Sequence, residues 1–207
     1  MQLRAKAASL TAVALLLSAG SAVADPPNFD FNGYAQIPAM LGGTLTVRSV
    51  LTNNGVVPTP IPLNFALNQY TLVVTGTLAS SAGIAQQYNP ASVSIYEDPI
   101  GGGTAANYAV PGTFTDGTLI LGGAFNGNLT RNTFTPNLGN FVGKIDFSSG
   151  SLLGLLPTPN GWPFGGGWSR TISGIPAGYQ ENWDGKIDLA AVGVQQKTWS
   201  GVKELFK

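Results

Sequence analysis

Residues 70–78 read Tyr-Thr-Leu-Val-Val-Thr-Gly-Thr-Leu, which places Tyr70, Leu72, Val74 and Leu78 on one side of an extended chain and Thr71, Val73, Thr75 and Thr77 on the other. Such a pattern buries one face only as a strand. A helix, with about 3.6 residues per turn, would scatter the same apolar positions around its axis. The β-branched residues favour the same extended backbone. This alternation constrains the chain most, because it recurs. Residues 45–51 set Leu45, Val47 and Leu51 against Thr46 and Arg48, and residues 91–97 set Val93 and Ile95 against Ser92 and Ser94. Residues 118–125 align Leu119, Leu121 and Phe125. Residues 140–147 align Phe141, Ile145 and Phe147 away from Lys144 and Asp146, and residues 186–192 align Ile187, Leu189 and Ala191.

Turn chemistry separates these runs. Asn53-Asn54-Gly55, Asp116-Gly117 and Asn126-Gly127-Asn128 reach positive φ at low cost, and Asp184-Gly185 reads as a turn leading into the strand from Lys186. Pro58, Pro60 and Pro62 mark an extended, non-helical link. Helical periodicity is absent from the middle of the chain; only residues 200–207, opened by a capping Ser200, suit a short C-terminal helical turn. The expectation is an all-β, single-domain antiparallel β-sandwich over residues 25–207, with a small β-barrel as the alternative. A membrane barrel would need a uniformly apolar outer face, whereas the outward positions here carry threonine and charge.

Residues 1–24 read as a signal peptide rather than as part of the fold. Arg4 and Lys6 give a basic start, an apolar run over residues 7–17 is too short to span a bilayer, and Ala22-Val23-Ala24 supplies an A-x-A cleavage signal. The expected product is secreted, whether to the periplasm, the cell surface or the extracellular space. Its 183 residues suffice for one substantial core. Removing Arg4 and Lys6 leaves eight basic residues against ten acids, with no Lys/Arg cluster to track a phosphate backbone, so nucleic acid is not an expected partner. The chain has no cysteine and no histidine. Disulfides are excluded, a Ser-His-Asp or Cys-His triad is excluded, and the donors of an ordinary zinc, copper or haem site are missing.

Three stretches draw attention as sites. In Ser94-Ile95-Tyr96-Glu97-Asp98-Pro99-Ile100-Gly101-Gly102-Gly103 two adjacent carboxylates precede a proline and three glycines. Glu97, Asp98 and, across the loop, Asp116 are hard oxygen ligands of the kind calcium prefers, with free glycine carbonyls to complete a shell. The bland alternative is a strand end followed by a long pliable loop; the spacing is not that of a phosphate cradle. In Gly161-Trp162-Pro163-Phe164-Gly165-Gly166-Gly167-Trp168, Trp162 and Trp168 are candidates to stack on sugar rings, against the commoner use of such aromatics to pin a loop onto a core. Asp184-Gly185 falls out of register with a calcium-binding EF-hand loop, because that register puts Gln180 at the first ligand position and Ala191 at the last. Glu97 and Glu181 are the pair to nominate for a carboxylate glycosidase, which needs only two acids across a cleft.

In style the chain resembles the exported, low-charge, Gly/Thr/Asn-rich β proteins of bacteria. The likeness rests on Tyr96-Glu97-Asp98-Pro99, on residues 114–123 and on the tail at residues 198–207. Some of those proteins carry a PEP-CTERM sorting tail; this sequence has no Pro-Glu-Pro motif, no C-terminal apolar helix and no terminal arginine cluster. The resemblance implies an exported β module and assigns no catalytic residue. The functional expectation is therefore non-enzymatic, a surface or extracellular binding or structural module for a glycan or a surface protein, with calcium as the candidate cofactor. Two alternatives belong to other classes. A glycan-active hydrolase would need two carboxyl groups facing one cleft, and a lipid or pigment carrier would need an enclosed apolar pocket.

Overall fold

In a computed structural model of the chain, residues 29–52 and 61–189 are described. The segments read as a signal peptide, as a turn at Asn53-Asn54-Gly55 followed by Pro58 and Pro60, and as a C-terminal helical turn lie outside the described residues. Among the described residues the nine strands are β1 Phe29–Gln36, β2 Thr44–Thr52, β3 Asn68–Ala82, β4 Ala85–Pro99, β5 Thr118–Phe125, β6 Leu129–Thr135, β7 Leu138–Ser149, β8 Trp162–Ser169 and β9 Glu181–Ile187. All pairings between them are antiparallel.

The sheet does not divide into the two layers of a sandwich. Neighbours in sequence pair along the whole chain, and β9 returns to pair with β1, with Phe29 opposite Ile187 and Ala35 opposite Glu181. β5 and β6 occupy one place in the ring. Both run antiparallel to β4, β5 along residues 92–97 and β6 along residues 85–88, and both continue along β7. They are one wall strand interrupted at Asn126-Gly127-Asn128, where Gly127 takes a φ of +85°. The result is an eight-place up-and-down barrel. Closure removes every sheet edge, which two stacked sheets would leave exposed.

A barrel of this size is just wide enough for side chains to fill it, and aromatic residues do so. Phe31 stacks on Phe164 at a centroid distance of 5.3 Å, and Phe141 stacks on Trp183 at 4.1 Å with 9° between planes. Phe125 meets Phe164 edge to face, and Trp162 lies between Phe29 and Phe147. Two glycines facing each other across β8 and β9, Gly166 and Gly185, leave the room for these rings. A Cβ on Gly185 would lie 2.6 Å from Cζ of Phe141 and 2.9 Å from Cζ of Phe31. Asp184-Gly185 is therefore mid-strand rather than a turn, and the strand begins at Glu181. The outer wall carries Asp30, Asn32, Thr46, Arg48, Thr75, Ser92, Ser94, Lys144, Asp146, Asp184 and Lys186, alternating with buried neighbours.

The barrel has two unlike ends. At one, short connections join β1 to β2, β3 to β4, and β6 to β7, beside the longer β8–β9 link. At the other, the long β4–β5 connection leaves from Pro99. It turns back over the outer wall through a 3-10 turn at Pro111–Phe114, where Phe114 is buried and its carbonyl accepts a hydrogen bond from the Thr71 hydroxyl at 2.8 Å. Tyr108 of the same connection packs on Tyr34 and Tyr179 at 4.7 and 5.5 Å. The three glycines after Pro99 thus open an excursion that coats the outer wall of the barrel.

Candidate functional site

The short-loop end holds a buried charge cluster. Arg131 on β6 is in phase with the buried Leu129, and Glu181 on β9 is in phase with the buried Trp183 and Ile187. Both side chains therefore point inward, where neither can stay charged without a partner. They meet edge to edge. Nε of Arg131 donates to Oε2 of Glu181 at 2.9 Å, and its Nη2 donates to Oε1. Nη1 of Arg131 donates to Gln86 and Thr133 at 3.0 and 2.9 Å, and the guanidinium lies 3.9 Å above the Trp168 ring. Glu181 accepts further bonds from Nε1 of Trp183 at 3.1 Å and from Nε of Arg170 at 3.1 Å. The carboxylate is fully buried, and Arg131 is 3% exposed.

Arg170 is the open member. It sits in the β8–β9 connection with its side chain 43% exposed, holding Glu181 through Nη2 at 2.9 Å and the Pro136 carbonyl through Nη1. A cavity of about 440 Å³ opens beside it, lined by Gln86, Arg131, Thr133, Arg170 and Gln180 together with Ile37, Pro38, Ile84 and Pro136. The lining carries two arginines and no acid. The single carboxylate behind it offsets one of the two charges, so an incoming anion meets a preformed, partly exposed guanidinium carrying uncompensated positive charge.

The residues singled out in the sequence are distributed differently. Trp162 and Trp168 are 0% and 2% exposed. Their Nε1 atoms donate inward to the carbonyls of Thr158 and Asn132, and their faces are covered by Phe29 and Phe147 in one case and by Arg131 in the other. They are barrel core and offer no face to a sugar. The segment read as a Trp-anchored loop is strand β8. Its three glycines set Gly166 inward between two outward neighbours.

Glu97 and Asp98 lie at the other end of the barrel, on the last turns of β4, facing opposite sides. Glu97 stands across from Tyr70. Burial above all, and then the Glu97 carboxylate, raise the Tyr70 phenol above its ordinary value, against hydrogen bonds from Asn68 and Asn64 that lower it. Asp98 is under the β4–β5 connection, against Gly103 and Gly117. Among the described residues no three acidic side chains gather closely enough to hold a metal ion, so Glu97, Asp98 and Asp116 do not form a calcium shell of carboxylates. Glu97 and Glu181 are also far apart. Gln86, which touches Arg131, and Glu97 are eleven positions apart on β4, about 36 Å at strand rise. The two acids cannot flank one glycosidic bond, which needs them within about 10 Å.

The sequence reading missed Arg131 and Arg170. A signal was present: once strands are assigned over residues 129–135 and 181–187, a cation and an anion both fall in the inward phase, and buried charges of opposite sign must pair. No protein-family model, no curated protein and no solved structure matches the chain.

Proposed function

We propose that the chain is a non-enzymatic binding module, exported as its signal-like start suggests, that takes up a small anionic group at the arginine end of the barrel. The observation that carries this reading is the pairing of two arginines with one buried carboxylate at the mouth of a 440 Å³ cavity. Glu181 is the internal precedent, since the same two guanidinium groups already bind a carboxylate. The fold supplies rigidity. The cluster is built on β6 and β9 of a closed, filled barrel, so little ordering is needed on binding. Two features weigh against the other classes. The nominated acids stand at opposite ends, which weighs against the hydrolase, and stacked rings fill the described middle of the barrel, which weighs against a lipid carrier. The Gln86, Gln180, Thr133 and Ser81 side chains around the mouth suit an acidic glycan such as a uronate.

The test is titration of the purified chain with glucuronate, inorganic sulfate and neutral glucose, followed by tryptophan fluorescence, because Trp168 and Trp183 both touch the cluster. Saturable binding of an anion, absent for glucose and weakened about tenfold or more by Arg170→Gln, supports the reading. Equal response to glucose, or no change in Arg170→Gln, would leave the cluster as a polar plug that only closes the barrel.

A further inference from the structure

The opposite end of the barrel holds a second cavity of about 410 Å³, of inverse character. Its walls include Val50, Phe65, Tyr70 and Ile100, and its one ionised lining residue is Asp98. Three observations about Asp98 stand together. It is 8% exposed. It lies in no ion pair, and its carboxylate oxygens have no hydrogen-bond donor among the described residues. Gly103 is pressed so closely against those oxygens that a Cβ there would collide with them, which fixes the carboxylate's position without neutralising it. The side chain is mostly covered, yet its oxygens are not among the wholly buried atoms left without a partner, so the carboxylate opens onto the cavity and stands there as an unpaired counter-ion for a cationic ligand.

The cavity also says which ligand. A metal ion wants several hard anionic oxygens converging on one point, and here a single carboxylate faces a lining that is otherwise mostly apolar, with the neutral amides of Asn68 and Gln69. An ammonium group on an apolar body fits both features. Phe65 and Tyr70 meet edge to face at 5.0 Å and give the wall an aromatic surface on which a cation can rest. At the rim, Ile100 and Leu67 are 62% and 64% exposed and are tied together by the Ile100 N–H to the Leu67 carbonyl at 2.8 Å, so an apolar body would cover two side chains now standing in water. We propose that the loop-end cavity, with Asp98 as counter-ion and Phe65, Tyr70 and Ile100 as walls, binds a small organic cation, a primary ammonium on an apolar body.

The experiment is isothermal titration of the purified chain with phenethylammonium chloride, with phenethyl alcohol and calcium chloride as matched probes. The expected result is saturable one-to-one binding of the amine alone, weakened about tenfold or more by Asp98→Asn, as expected when the counter-charge of a desolvated cation is lost. Ile100→Gln, at an exposed rim position that leaves the fold intact, weakens the amine as well and decides the matter if Asp98→Asn fails to fold. Binding of the alcohol as tightly as the amine, or amine binding unchanged in the variants, overturns the proposal. Calcium binding in place of the amine overturns it in favour of a metal site.

Discussion

Arg131 and Glu181, fifty positions apart in the chain, meet edge to edge inside the barrel wall with both side chains almost wholly removed from water. Arg131→Met leaves Glu181 buried with only the half-exposed Arg170 to answer it. Glu181→Met leaves Arg131 without its counter-charge. Each single replacement is expected to cost about 3–5 kcal/mol, and the double replacement Arg131→Met with Glu181→Met much less than their sum, because no buried charge is then orphaned. Urea unfolding of the three variants and the parent completes the cycle; additive losses would show that the pair does not act as a unit.

Gly185 makes a complementary prediction in the middle of the barrel. A methyl group there would meet the rings of Phe141 and Phe31 at less than contact distance. Gly185→Ala is expected to destabilise by about 1–3 kcal/mol through overpacking, with part of the loss recovered when Phe141→Leu is added. If Gly185 instead served an Asp-Gly turn, any cost of alanine would come from the backbone and Phe141→Leu would recover nothing.

Ser49 is an apparent flaw in the core. It points inward between Val47 and Leu51, is fully buried, and its hydroxyl has no hydrogen-bond partner among the described residues. Removing an unsatisfied buried hydroxyl relieves its desolvation penalty at the loss of one small atom. Ser49→Ala is expected to raise stability by about 1 kcal/mol, read from the shift of the urea midpoint at constant slope.

On the outer wall, burial first, and then the neighbouring Asp184 carboxylate, raise the Asp30 carboxyl above its ordinary value, partly offset by a hydrogen bond from Thr52. A raised folded value means that the folded state holds this proton more tightly than the unfolded chain. Its contribution to stability is complete below the ordinary carboxyl range, near pH 3.8, and is lost as pH rises through the folded value. Asp30→Asn should therefore raise the thermal midpoint at neutral pH and leave it unchanged below that range. A gain that persists at pH 3 would point to some cause other than titration.

Tyr88 extends the same logic to alkali. Burial pushes its phenol up to about 12, helped by Glu181 and opposed by the stronger effect of Arg131. Stability is unaffected below pH 10 and falls as pH rises through 12, since the unfolded chain releases this proton first. Absorbance at the phenolate band during a pH titration should show Tyr88 ionising late in the parent, with that step missing in Tyr88→Phe.

How far the sequence carried can be judged from particular strands. Residues 118–125 were legible as a strand and became β5, but a bulge between Leu119 and Leu121 buries Ile120 and leaves Leu119 half-buried, which strict alternation does not foresee. Strands β8 and β9 were not legible. In each, glycine occupies an inward position where pattern reading looks for a large side chain, and the volume is supplied by Phe141 from a different strand. That compensation is tertiary and leaves no local trace. The ring closure was illegible for a related reason: period-two alternation reports that one face is buried, and says nothing about whether the opposing face belongs to a second sheet or to the same sheet curled round. The tryptophans misled because glycine-rich surroundings look like a loop, while here they make space for packed rings. The charge cluster was recoverable in principle from phase, once β6 and β9 were recognised as strands.

The pairing of Phe29 with Ile187 has an orientational consequence. The two strands that close the barrel enter and leave it side by side, at the same end as Asp98. Anything fused before β1 or after β9 is therefore tethered at that end alone, and a barrel displayed on a support through either junction would present Arg170 outboard, to the surrounding medium.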